Sequence, residues 1–254
     1  MSDELLLESH GPVRVLRLHR PQARNAMTGS LARMIAAAID DFEASDEWRI
    51  AVITGEGGHF CAGMDLKAFT RGELPGDPQR GFGGLTEKPP RKPIIAAVEG
   101  YAVAGGFELA LACDLIVAAD NAQFALPEVC RGLVASAGGL MRLPKRLPYF
   151  LAMEMALTGD LLPAQRAWSQ GLINRIVPPG QALEAALVLA NHIARQAPLA
   201  VRVSKQIIVE SAPWEPQQMF ARQAPLVEAV IESQDSLEGA HAFEQKRPPV
   251  WRGC

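Results

Sequence analysis

Two short runs, residues 50–54 (IAVIT) and 94–98 (IIAAV), carry no charge and pass straight into glycine-rich turns, GEGGHFCAG and EGYAVAGG. A strand without polar alternation needs both faces covered, which is the environment of a parallel sheet enclosed by other layers. Behind the second turn lie a helix-like segment, FELALAC, and another apolar run, LIVAA at 115–119. Residues 13–19 (VRVLRLH) alternate apolar and polar side chains as a half-buried strand does. Thr28 then opens a stretch with Leu31, Met34, Ile35, Ala38 and Phe42 at helical spacing. Buried strands alternating with helices predict an α/β architecture with parallel pairing.

Residues 71–92 hold five Gly, four Pro and eight charges, which predicts a loop longer than a compact domain carries without a functional reason. From about Pro163 onward strand signals nearly vanish. Leu183, Ala186, Leu187, Ala190 and Ile193 keep helical spacing, and two or three further helices are expected after them. The expected division is a core over residues 1–195 and a helical region over 196–254.

Composition removes several function classes. A net charge of −3 offers no long-range attraction for nucleic acid or an anionic membrane. No apolar run approaches the ~18 to 20 residues of a membrane span, and MSDELLLESHG has no basic stretch of the kind that opens a secretory signal. A soluble, cytoplasmic protein is expected. Cys61, Cys113, Cys130 and Cys254 form no C-x-x-C pair and no zinc-type cluster with the five scattered His, so neither a metal nor a disulfide framework is expected.

The chemistry concentrates around the two turns. Glycine lets a backbone approach a ligand closely, and a helix N-terminus leaves N–H groups unpaired. Two such turns at the carboxyl ends of neighbouring strands can aim one N–H each at a single developing oxyanion, although two ordinary tight turns would read the same. Glu108 and Glu128 both sit among apolar neighbours, in FELALAC and FALPE. Carboxyls so placed have raised pKa values suited to proton transfer, while a helix-cap role for Glu108 and a turn role for Glu128 stay open on pattern alone. No phosphate loop is present, Phe60 replaces the third glycine of a dinucleotide fingerprint, and Val134 replaces the glycine of a nucleophile elbow at Ser136.

The chain resembles the crotonase superfamily, the enoyl-CoA hydratases and isomerases, over nearly its whole length. The resemblance rests on Arg20-Pro21…Asn25-Ala26, Phe60-Cys61-Ala62-Gly63-x-Asp65-Leu66 and Lys92-Pro93-Ile94-Ile95-Ala96-Ala97-Val98. It continues through Gly105-Gly106-x-Glu108-Leu109-Ala110, Cys113-Asp114, Phe124…Pro127-Glu128 and Gly138-Gly139. It implies a spiral of ββα turns, a helical C-terminal region that builds trimers or dimers of trimers, and an acyl-coenzyme A thioester as substrate. No other cofactor is implied. Carried over by motif, the oxyanion donors are the N–H groups of Met64 and Gly105, and the catalytic acids are Glu108 and Glu128, which flank one water. Substrate contacts are implied for Ala26, Ala62, Asp65 and Leu66, with Arg24 and Lys246 as candidates for the coenzyme A phosphates, the latter from a neighbouring subunit. Phe69, Phe82 and Tyr101 are candidates for the acyl pocket.

A narrower likeness is to the carnitinyl-CoA dehydratase group, carried by Met64-Asp65-Leu66-Lys67-Ala68, residues 81–86 (GFGGLT) and residues 101–112. Leu143-Pro144-Lys145 and the tail around Trp251 extend it. Retention of both glutamates resembles the hydratases. The competing expectations are a Δ3,Δ2-enoyl-CoA isomerase working through Glu128 alone and a non-catalytic acyl-CoA binding protein. One departure from the family pattern is Ala135, which stands where G-x-x-P-x-x-G-G has proline and leaves the acyl length open.

Overall fold

The structure is a computed structural model and describes residues 4–254. The alternating segment near the start pairs as a hairpin of β1 (Leu5–His10) and β2 (Val13–Leu18), followed by α1 (Gly29–Ala44) and β3 (Ile50–Gly55). A short α2 (Leu66–Phe69) precedes a small ribbon of β4 (Gly76–Asp77) and β5 (Gly81–Phe82). Next come β6 (Ile94–Val98), β7 (Tyr101–Val103), α3 (Gly105–Ala112), β8 (Leu115–Ala119) and β9 (Gln123–Ala125). A 3-10 turn over Pro127–Arg131 leads to α4 (Gly139–Arg142), α5 (Tyr149–Thr158), β10 (Leu162–Pro163) and α6 (Ala164–Ser169). After β11 (Arg175–Val177) and α7 (Ala182–Ala194), three helices follow: α8 (Pro198–Glu210), α9 (Met219–Ile231) and α10 (Gln234–Glu244).

The larger sheet runs β1-β2-β3-β6-β8-β11, antiparallel only between β1 and β2. Each of its inner strands hands the chain to a second layer. There β7 lies parallel to β9, isolated bridges join Cys61 to Ala102 and Met27 to Met64, and β10 closes the edge. Strand, second strand and helix thus repeat as a rising spiral, the arrangement the resemblance implies. One expectation is corrected: strand pairing does not end at Pro163, because the short run Arg-Ile-Val of β11 pairs with β8 at the sheet edge. Three residues between Asn174 and Pro178 are too few to show a period.

Alternate faces of the sheet explain the unbroken apolar runs. Leu16, Ile53, Ala96 and Val98 point inward, toward Phe60, Phe107 and Phe124 of the main core. Val13, Val15, Ile50, Val52, Ile95 and Ala97 point the other way, where Ala182, Ala186, Ala190 and Ala194 of α7 cover them. The buried centre of α7 is this alanine ladder, with Leu183, Leu187 and Ile193 flanking it half-buried, so the helix axis can come close to the strands. The 71–92 segment is anchored to α1 rather than loose. Glu73 accepts from Gly29 N–H (2.8 Å), the buried Arg80 pairs with Asp40 (2.6 Å), and Arg91 pairs with Glu43 (3.0 Å).

Among the described residues no helix is long and apolar enough to cross a membrane, and no group of His, Cys, Asp and Glu could hold a metal. Cys61 and Cys113 are buried, and that burial pushes the Cys61 thiol up to about 12 and Cys113 higher still than its ordinary range, so both serve as packing. Thr28 caps α1, its side-chain oxygen accepting from Leu31 N–H at 3.1 Å. Thr28→Ala is expected to lower unfolding stability by about 1 kcal/mol, read as a shift in denaturant midpoint at unchanged slope.

Candidate active site

One cavity of about 530 Å³ opens between the second-layer turns and the 71–92 segment. Glu108 reaches it from the first turn of α3 and Glu128 from the 3-10 turn after Pro127, so side chains twenty positions apart in sequence meet across one space. Glu108 is 3% exposed, and its Oε1 accepts from Gly139 N–H at 2.9 Å. Burial raises its pKa, against the opposing pull of the Gly139 amide and of Arg142. The Glu128 carboxyl is pushed up to about 7, first by burial and then by the nearby Glu108 charge, with Arg131 opposing weakly. Its Oε2 is buried without a hydrogen-bond partner. An unsatisfied buried oxygen is costly as a carboxylate and less so as a protonated acid, which agrees with the raised value.

Two backbone amides face the same space. Met27 donates to Gly63 C=O (2.7 Å) and accepts from Asp65 N–H (2.9 Å), which turns the N–H of Met64 to the opposite side, toward the cavity it lines. Gly105 is the first residue of α3, so its N–H has no intrahelical acceptor. Among the described residues neither N–H donates to a protein group. Ala104, just before Gly105, is held at φ 53°, a conformation that L residues rarely adopt. Its own N–H bonds Ala125 C=O (2.9 Å), and Val103 N–H bonds Cys61 C=O (3.1 Å), so both sides of the turn are pinned. A Cβ on Gly63 would collide with Ala104, and one on Gly106 with the Cys61 carbonyl. The two turns touch backbone to backbone.

Of the contacts implied by resemblance, Ala62, Leu66, Phe69 and Phe82 line the cavity with Met64, Gly105, Glu108 and Glu128. Others fall outside it. Asp65 is spent on structure: Oδ1 caps α2 through Lys67 and Ala68 N–H, and Oδ2 pairs with Arg20 at 2.9 Å. The Ala26 carbonyl accepts from Arg20. Tyr101 does not line this cavity; its ring stacks on His59 (5.1 Å) and has the Arg24 guanidinium 5.3 Å from its centre. Arg24 adjoins the site through its C=O, which accepts from Ala62 N–H (3.0 Å). Lys246 follows α10 on the exposed surface, outside the cavity. His59 is a packing residue; burial and then the Arg24 charge lower its pKa.

Sequence reading missed one wall of the cavity, formed by Leu133, Val134, Ser136 and Ala137, and a second with Leu74, Asp77 and Glu87. Gly132 and Gly138–Gly139 bracket the first wall, and that spacing was the available signal. Ala135, the departure from the family pattern, is buried behind it.

The sequence profile described as enoyl-CoA hydratase/isomerase matches residues 8–254. A carnitinyl-CoA dehydratase of Salmonella typhi is 43% identical, with all of both chains covered. Among solved structures, an enoyl-CoA hydratase of Mycobacterium tuberculosis H37Rv superposes with a TM-score of 0.98 at 52% identity, again over all of both chains. A carnitinyl-CoA hydratase of Mycobacterium avium gives 0.80 at 39% identity and full coverage. The closeness of the two turns has a direct test. Gly106→Ala must force the Cys61 carbonyl aside, and this overpacking is expected to cost about 1–3 kcal/mol or more, measured as a fall in denaturant midpoint.

Proposed function

The chain belongs to the enoyl-CoA hydratase/isomerase family, and from that premise we propose how its cavity adds water to an acyl-CoA thioester. The activity is that of an enoyl-CoA hydratase, a hydro-lyase acting reversibly across the 2,3 double bond. One observation carries the reading: two carboxyls and two unspent amides border the same cavity.

In hydration the Glu108 carboxylate takes a proton from water as its oxygen bonds to Cβ. The π electrons move toward the thioester oxygen, which the Met64 and Gly105 N–H groups stabilise as an enolate. Protonated Glu128 then delivers its proton to Cα. One such donor is worth about 3–4 kcal/mol in the transition state. Dehydration runs the same transfers backward. The reactive pair carries one proton in either direction, sited on Glu128 before hydration and on Glu108 after it. The steps are a C–O bond formed by water and two proton transfers, with no change of overall oxidation state, so no cofactor beyond the coenzyme A of the substrate is proposed.

An isomerase needs Glu128 alone, and a purely binding protein needs neither acid. The buried Glu108 and the half-buried Glu128, both lining the cavity, support hydration over either.

For the acyl group we propose a short chain ending in a quaternary ammonium, as in crotonobetainyl-CoA and carnitinyl-CoA. Similarity to a carnitinyl-CoA dehydratase supports this, as do Phe69, Phe82, Asp77 and Glu87, which supply aromatic faces and negative charge on one side of the cavity. We further propose a homotrimer or dimer of trimers in the cytoplasm, with residues 1–195 holding the site and 196–254 serving assembly. Exposed Phe220, Ile231, Leu237 and Phe243 on α9 and α10 support that role. Arg24 at the edge of the site, and Lys246 from a neighbouring subunit, would meet the coenzyme A phosphates.

Glu108→Gln and Glu128→Gln are each expected to slow hydration of crotonyl-CoA by about 10²- to 10⁴-fold, followed as loss of the conjugated thioester absorbance. An isomerase would survive the first. The profile of kcat/KM against pH is expected to be a bell, because activity falls as acid protonates Glu108 and again as rising pH removes the Glu128 proton near about 7. Both limbs should coincide for hydration and dehydration, since the reaction takes up no net proton. Crotonobetainyl-CoA is expected to give a higher kcat/KM than crotonyl-CoA; equal or lower values would remove the cationic acyl group from the reading.

A further inference from the structure

We propose that Arg142 is a positioning residue of this reaction: it pins the 136–139 turn against Glu108 and sets a guanidinium behind that carboxylate, so the proton of the pair rests on Glu128 before water adds. The inference rests on the hydratase reading and asks what makes two similar carboxyls unequal. Arg142 closes α4 and does not line the cavity, so it touches no substrate. Its Nη1 donates to Ala137 C=O (3.3 Å) and its Nη2 to Thr86 C=O (2.5 Å), which ties the turn to the 71–92 segment. The guanidinium lies so close to Gly138 that a Cβ there would collide with Nη1, and the next residue, Gly139, donates its N–H to Glu108. The amide that orients Glu108 and the cation that faces it are therefore held by one short segment.

The charge arrangement around Glu108 is lopsided. Arg142, from α4, is the cation that acts on it, and Glu128, from the Pro127–Arg131 turn, is the neighbouring acid. Arg131, exposed at the rim, also lines the cavity and acts on Glu128, as the last and smallest of the influences on that carboxyl. Arg146 donates to Leu111 C=O, and Lys205 pairs with Asp114 at 2.6 Å beyond the other end of α3. Strand β7, packed on α3, carries no charge. Among the described residues Arg142 makes no ion pair. Its fork is occupied by two carbonyls, so it favours the ionised form of Glu108 through space without locking it. A direct salt bridge would hold Glu108 as a carboxylate and weaken it as a base.

The test compares pH profiles of kcat/KM for crotonyl-CoA in Arg142→Met and Arg142→Lys. In folded Arg142→Met the acid limb is expected to move up by about one pH unit, a tenfold loss on that limb, while the basic limb stays in place. Arg142→Lys keeps the charge and should restore the acid limb, with a lower kcat from the loosened turn. An acid limb unmoved in folded Arg142→Met, with a loss uniform in pH, would overturn the proposal and leave Arg142 a structural clamp. Should Arg142→Met fail to fold, Arg142→Gln, whose amide can still donate to Thr86 C=O, is scored by the same profile. The unaltered protein separates the two levels: if it does not hydrate crotonyl-CoA, the hydratase reading has failed, whatever Arg142 does, and if it does while Glu108→Gln is equally active, the role of Glu108 and with it that of Arg142 has failed.

Discussion

Contact between the backbones of residues 61–64 and 103–106 is the constraint on which the rest of the molecule depends. Gly63 and Gly106 have no side chain to hold the two segments apart, and the Cys61–Ala102 bridge draws them together. The large sheet and the second layer bring the segments to neighbouring positions. The strain at Ala104 is local and of the order of 1–3 kcal/mol, borne by hydrogen bonds on both sides of the turn. Two amides left without protein partners flank it and face the cavity. A well-packed core offsets that strain, and the amides stand where a negative oxygen would meet them.

The carboxyls show the same economy. Glu108 and Glu128 are both pushed upward by burial, yet their surroundings differ. Glu108 has an amide and a cation behind it, whereas Glu128 has an unpartnered oxygen and a like charge in front of it. Similar side chains acquire distinct proton affinities from what surrounds them, without metal or prosthetic group in the proposed chemistry.

Much of this was legible in the letters. The unbroken apolar runs announced strands covered on both faces, and β3, β6 and β8 are so covered. Thr28 marked the start of α1, and the glycine turns marked where the amides are free. Other features depend on contacts that no local pattern encodes. Asp65 sits inside the strongest motif, and only its hydrogen bonds show it to be a helix cap paired with Arg20. Tyr101 looks like a pocket aromatic until its ring is found against His59 and Arg24. β11 is too short to show a period, and Arg142 draws its meaning from carbonyls fifty-six and five residues away.

One cavity wall is built differently from the others. The amides and Glu108 are fixed by sheet-borne backbone, but Leu74, Asp77, Gly81 and Phe82 belong to a ribbon fastened to the outside of α1 by Glu73 and Arg80. Insertions, deletions or exchanges there need not disturb the strands that hold the reacting groups. A lineage built on this scaffold can therefore change its diet by editing a surface ribbon while inheriting its chemistry intact.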